Sequence, residues 1–270
     1  MLRTRVITAL LLVAGLALIL FVMPPLAAVL TFAAVAALAA WEWGGLMKQD
    51  QPARVMYAFV LLLFCWQLTV AAPELVPGLL GLSAAFWILV VPFWFRYKWA
   101  LAGNDFFGYL IGALVILPTW AAMVALHAVS TWLMLAVMAL VWVADISAYF
   151  AGRAFGKHGK RKLAPTISPG KTWEGVAGAV VGVLIYGSIV LGFSPLGEKI
   201  PLAWPLLGLL LILLTAVSVM GDLFESLLKR QAGIKDSSGL LPGHGGVLDR
   251  IDALTSTLPL AALILYFVRS

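Results

Sequence analysis

The chain has 270 residues, of which 63% are hydrophobic and 11% charged, at a mean hydropathy of +1.04. Ordinary soluble domains carry about 25% charged residues, so this composition excludes a soluble globular protein and leaves no stretch for a separate water-exposed domain. A formal net charge of +6 fits either anionic partners or the asymmetric loops of a membrane protein, and the lone Cys65 excludes an intramolecular disulfide or a cysteine-based zinc site.

About 20 apolar helical residues cross a hydrocarbon core of about 30 Å. Apolar runs between polar or Pro/Gly breaks predict spans near 5–23, 25–43, 55–72, 78–95, 106–125, 131–151, 174–193, 203–229 and 251–268. The expected fold is an all-α integral membrane protein, a polytopic bundle of about nine transmembrane helices with cytoplasmic working loops. The first run follows Arg3 and Arg5 as a signal peptide would, but it is long and leads through Pro24-Pro25 into more apolar sequence, so it reads as a retained anchor. Residues 1–130 make the N-terminal group of helices, open to lipid or to a second copy in a homodimer. Residues 131–270 carry the polar motifs, at 145–175 and 222–252.

Alternating the spans assigns every cation to a side. One side receives Arg3, Arg5, Lys48, Arg54, Arg96, Lys98, Arg153, Lys157, Lys160, Arg161, Lys162, Lys171, Lys229, Arg230, Lys235 and Arg250, which leaves Lys199 and Arg269 opposite. The positive-inside rule then puts the N-terminus in the cytoplasm and the C-terminus outside, in the cell's inner membrane. Topology explains Arg96 and Lys98, but the loops 153–171 and 229–250 also hold glycines and prolines spaced for turns, and these two are the candidate working surface.

An acid within a span costs on the order of 2.5–3.5 kcal/mol. Asp145, Glu174, Asp222 and Glu225 fall toward the cytoplasmic ends of their helices, with Asp249 and Asp252 where the last helix enters from the same side. Asp222, Ser226 and Lys229 share a helix face at i, i+4 and i+7. Clustered hard oxygen ligands suit magnesium, which binds one or two carboxylates plus substrate phosphates; the alternative is structural ion pairing with Lys171, Lys229, Arg230 or Arg250. The run Gly239–Gly246 cannot be helical and can turn backbone N–H groups onto an anion. Ser168–Gly175 opens the seventh helix and presents its N-terminus, but Pro165 stands where a P-loop needs glycine, so that motif is rejected. His127, His158 and His244 form no zinc pattern. Gly108/Gly112 and Gly178/Gly182 have GxxxG spacing, which in a bundle reads first as internal packing.

The run Ser226-x-Leu228-Lys229-Arg230, Lys235-Asp236-x-Ser238, Leu241-Pro242-x-His244-Gly245-Gly246-Val247-x-Asp249-Arg250-Ile251-Asp252 resembles the signature of the phosphatidate cytidylyltransferases. Asp145-x-x-Ala148-Tyr149-x-x-Gly152-Arg153-x-Phe155-Gly156-Lys157 and Ser168-Pro169-x-Lys171-Thr172-x-Glu174-Gly175 are similar to further blocks of that family. The resemblance implies transfer of CMP from CTP to phosphatidate at the bilayer surface, with magnesium and a monovalent cation such as potassium, and no nucleic acid partner. It points to Asp222 and Asp249 as magnesium ligands, Asp145 as a third, and Asp252 as a ligand or its outer partner. Lys229, Arg230, Lys235 and Arg250 would hold phosphate oxygens, with Lys171, Arg153 and Ser168 serving one substrate from the neighbouring loop. Gly245 and Gly246 would approach substrate closely, His244 would donate a positioning hydrogen bond, and Ser226 would touch metal or phosphate unless it bonds its own helix. A secondary transporter or a lipid-binding scaffold are the rivals, though transport wants midplane acids between repeats, and no repeat is evident.

Overall fold

The computed structural model describes residues 2–101, 103–156, 161–194 and 203–269, so Lys157, His158, Lys160 and Lys199 lie outside the described residues. Helices α1 (Leu2–Phe21), α2 (Pro25–Leu46), α3 (Gln51–Val70) and α4 (Pro73–Tyr97) come first. Then follow α5 (Asp105–Val129), α6 (Thr131–Phe155), strands β1 (Lys162–Ala164) and β2 (Ser168–Thr172), α7 (Trp173–Phe193), α8 (Trp204–Ala232), α9 (Leu248–Ile251) and α10 (Leu254–Arg269).

Among the described residues eight helices are long and apolar enough to cross a membrane. The ninth predicted span is shorter than expected. α10 has 16 residues, about 24 Å at the usual rise, below the roughly 30 Å of a hydrocarbon core. At the junction of α9 and α10 the Asp252 carboxylate accepts the Ala253 N–H at 2.7 Å and Thr255 Oγ1 donates to the Asp252 carbonyl at 2.6 Å. α8 is long instead, with 29 residues, about 44 Å, so its charged last turns extend past the apolar slab.

Helix starts follow ordinary capping chemistry. Asp50 accepts from Ala53 N–H, Asn104 from Phe107 N–H and Thr172 from Gly175 N–H, which begin α3, α5 and α7. α8 stops at Gly233, whose φ of +79° suits glycine, with Ile234 N–H donating to the Lys229 carbonyl. The basic loop with turn-forming prolines and glycines contains a short antiparallel hairpin, Lys162 opposite Thr172 and Ala164 opposite Ser168, turned through Pro165-Thr166-Ile167.

Both GxxxG pairs lie inside the bundle. A Cβ at Gly178 or Gly182 would strike Ala151 or Ser147 of α6, and one at Gly108 or Gly112 would strike Met47 or Trp43, so backbones approach closely there. One hydrophobic core runs from Leu20 to Ala262 and crosses residue 130 without a break. A π-helical turn at Phe86–Val90 in α4 accompanies the packing of Trp87 and Trp94 edge-on against Phe224 of α8, at ring separations of 5.4 and 5.3 Å.

The polar segments gather at one end. Gln49 Nε2 donates to Asp105 Oδ1 at 2.7 Å, Lys98 Nζ to Thr166 Oγ1 at 3.1 Å, Gln231 Nε2 to the Lys98 and Trp99 carbonyls, and Thr8 Oγ1 to the Pro242 carbonyl at 2.9 Å. These bonds tie the start of α1 to the loops after α2, α4, α6 and α8, the grouping that alternating spans require. Arg269 lies apart from them, in a groove with Pro77 and Val129.

Candidate active site

A cleft of about 670 Å³ opens between α6, the hairpin, α7 and α8. On α6, Asp145, Tyr149, Gly152 and Arg153 follow at i, i+4, i+7 and i+8, one face, and all line it. Ser168, Lys171, Thr172, Gly175 and Asp222 complete its polar lining. Lys171 Nζ pairs with Asp222 Oδ2 at 2.5 Å and Ser226 Oγ donates to Asp222 Oδ1 at 3.2 Å. Ser226 thus bonds a carboxylate one turn back rather than its own helix backbone. Arg153 Nη1 donates to Tyr149 Oη at 2.9 Å. Asp145 accepts no hydrogen bond among the described residues, and Asp252 stands within electrostatic reach of Asp145, Asp222 and Lys229.

Next to the cleft is a second, tighter arrangement. Lys229 Nζ bridges Glu225 Oε2 at 2.5 Å and Asp249 Oδ1 at 2.6 Å. The other oxygen of Asp249 accepts from Ser237 N–H at 2.8 Å, Ser237 Oγ at 2.9 Å and Gly246 N–H at 2.8 Å. Burial alone would raise the Asp249 carboxyl, but the Lys229 ammonium and the Gly246 and Ser237 N–H groups outweigh it and hold the acid below the ordinary aspartate value.

The glycines take a role other than the one expected. Gly243 and Gly245 both have φ of +78°, and a Cβ at Gly245 would stand 2.6 Å from Asp249 Oδ2. A Cβ at Gly246 would collide with Ser237 Oγ and Glu42 Oε1. The anions that this loop cradles are the protein's own carboxylates, Asp249 and Glu42, since the Gly246, Val247 and Leu248 N–H groups all donate to them. The signal for Glu42 was a single acid between Trp41 and Trp43 at the end of an apolar run; for Ser237, nothing beyond its place in the signature.

Of the remaining predicted residues, Arg230, Lys235 and Arg250 are exposed at the same end. Arg230 Nε reaches the Ile167 carbonyl at 3.5 Å, a marginal contact. His244 donates its backbone N–H to the Leu241 carbonyl at 2.8 Å, while its buried Nδ1 has no partner among the described residues.

Asp145, Asp222, Glu225, Asp249 and Asp252 thus face two buried or half-buried ammonium groups, Lys171 and Lys229, an excess of negative charge suited to a cation. Among the described residues no three acids or histidines are close enough to share one ion. That fits a metal held by one or two carboxylates and completed by water and substrate phosphate.

Comparison with known proteins identifies the family. Residues 3–268 match the profile of the Cytidylyltransferase family. A phosphatidate cytidylyltransferase of Pseudomonas aeruginosa is 42% identical over 98% of this chain and 97% of its own length, and one of Haemophilus influenzae is 36% identical over 99% of this chain and 100% of its own. The namesake from Bacillus subtilis is 42% identical over 48% of this chain and 44% of its own. Matched from one end of the bundle to the other, with its acids and cations gathered around one cleft, the chain belongs to the cytidylyltransferase family.

Proposed function

We propose that this chain transfers the cytidylyl group of CTP to phosphatidate, giving CDP-diacylglycerol and pyrophosphate for phospholipid synthesis. The cleft carries this reading: Asp145, Asp222, Lys171 and Arg153 share its lining with Ala144, Ala148, Val176 and Val219, so one cavity suits a phosphate whose other end is lipid. The two relatives matched along their whole length are phosphatidate cytidylyltransferases, in keeping with this reading.

A phosphate oxygen of phosphatidate, already anionic at neutral pH, attacks the α-phosphorus of CTP. The new P–O bond forms as the bond to the bridging oxygen breaks, and that oxygen leaves with its electron pair on pyrophosphate. No proton is taken from the nucleophile, so the protein's task is to position two anions and neutralise their repulsion. Lys171, half-exposed on Asp222, exchanges that carboxylate for a phosphate oxygen. Arg153 and Ser168 hold the same substrate from the cleft wall. Arg230, Lys235 and Arg250 draw the triphosphate toward the site, and His244 offers a ring nitrogen to the bound substrate.

Asp222 and Asp145 would hold magnesium, with Asp252 as an outer partner; the ion's contribution would be to neutralise the triphosphate and the departing pyrophosphate. Asp249, expected from the sequence as a second ligand, is committed instead to Lys229, Ser237 and Gly246. A monovalent cation such as potassium would offset charge near Glu225, whose buried Oε1 has no hydrogen-bond partner among the described residues. We place the polar end and the N-terminus in the cytoplasm, as the cation bias supports, with the C-terminus outside and the exposed flank of α1 open to lipid or to a second copy.

The decisive experiment incubates detergent-purified protein with CTP, phosphatidate and magnesium and identifies the lipid product by mass spectrometry. CDP-diacylglycerol formed with pyrophosphate, and lost on chelation, is the expected result. Turnover of CTP without that lipid overturns the reading.

A further inference from the structure

Glu42, on α2, is wholly buried, at 0% exposure, and the chemistry above makes no use of it. Four donor groups lie within hydrogen-bond distance of its two oxygens. Oε1 takes Ser238 Oγ at 2.6 Å and Val247 N–H at 2.9 Å; Oε2 takes Ser237 Oγ at 3.0 Å and Leu248 N–H at 2.6 Å. Two donors come from the start of the 237–248 segment and two from its end, so one carboxylate pins both ends of that loop to α2.

The loop in turn holds Asp249. Ser237 Oγ lies within hydrogen-bond distance of Glu42 Oε2 and of Asp249 Oδ2, and its backbone N–H is committed to Asp249. Gly246 N–H donates to the same Asp249 oxygen from the far end of the loop. A continuous chain of contacts therefore runs from Glu42 through Ser237 to Asp249, Lys229 and Glu225. The end of α2 is itself fastened: Arg54 Nε donates to the Trp41 carbonyl at 3.0 Å, and its guanidinium lies 3.7 Å over the Trp41 ring, within electrostatic reach of Glu42.

A buried carboxylate is a poor source of stability, because an apolar residue would avoid its desolvation. What it supplies is direction. Two acceptor oxygens at a fixed separation, each facing two donor groups, define where the loop ends must sit. We propose that Glu42 is a positioning residue for cytidylyl transfer: from the N-terminal half of the chain it sets the 237–248 loop so that Asp249 holds Lys229 beside the cleft.

The test compares full-length wild type, Glu42→Gln and Ser237→Ala in detergent by amide hydrogen exchange and by steady-state kinetics. Gln keeps the size but turns an NH₂ toward the donor pair of one oxygen. Backbone exchange at Gly246, Val247 and Leu248 should rise at least about tenfold, while the interiors of α5 and α8 stay protected. The turnover number should fall at least about tenfold with the KM for CTP within about threefold, the split expected when reacting groups are misplaced rather than binding lost. Ser237→Ala should show the same pattern more weakly, and the double variant should be no worse than Glu42→Gln alone, because both act on one chain of contacts.

Wild-type exchange at those amides, or faster exchange with unchanged turnover, overturns the proposal. Should Glu42→Gln fail to fold, Ser237→Ala decides by the same two readings. The kinetic reading rests on the proposed reaction, whereas exchange does not: wild type that makes no CDP-diacylglycerol refutes that reaction, and the amides still report whether Glu42 holds the loop.

Discussion

The cleft around Asp222 and the knot around Asp249 are neighbours on α8, yet they treat charge in opposite ways. In the cleft, Lys171 and Asp222 are 25% and 27% exposed and each has few partners. In the knot, Lys229 and Asp249 are 12% and 4% exposed, and every oxygen of Asp249 is engaged. A half-exposed pair contributes roughly 0–1 kcal/mol and exchanges partners readily, whereas breaking a buried one leaves a stranded charge. The lesson is a division of labour: groups that must meet substrate are loosely held, beside others fixed by contacts of their own.

The sharpest way to break this comparison is Asp222→Asn. CMP transfer should fall by roughly 10²–10³-fold, as when charge stabilisation of a transition state is removed, with the thermal midpoint nearly unchanged; a large drop in that midpoint would erase the distinction. Lys229→Met should do both kinds of damage, costing about 3–5 kcal/mol because Glu225 and Asp249 are left buried without their cation, as read by denaturant or thermal unfolding in detergent. Lys171→Ala should raise an apparent KM by about tenfold, roughly 1.4 kcal/mol of binding, with little effect on stability. Unchanged kinetics for both substrates would remove Lys171 from phosphate binding.

The smallest effect is one of pH. Because the folded Asp249 carboxyl lies below its ordinary value, its stabilising contribution is complete above the unfolded pKa of about 3.9 and is lost as pH falls through the folded one. Asp249→Asn should flatten that acid limb of a stability-against-pH curve.

Much of this division could be read from composition and spacing. Apolar runs locate the long helices, and alternating them brings Asp145, Lys171, Asp222 and Asp249 to one end. What stays hidden is which partner each group takes. The glycines announce that N–H groups are free to grip an anion, but only the fold reveals that the anions are Asp249 and Glu42. The turn at Asp252 and Ala253 that divides α9 from α10 is not registered by apolar periodicity. The 162–172 hairpin, rich in Lys, Pro and Gly, carries no alternating pattern. Glu42 and its partners are separated by 195 to 206 residues, a distance over which local pattern is silent.

That separation also bears on how the protein is made. Chains are synthesised at about 5–20 residues per second, so α2 enters the bilayer some 10–40 s before the segment that will satisfy its carboxylate leaves the ribosome. Through that interval Glu42 is without the donor groups that surround it in the folded protein. A chain truncated before residue 237 would therefore lack every one of those donors.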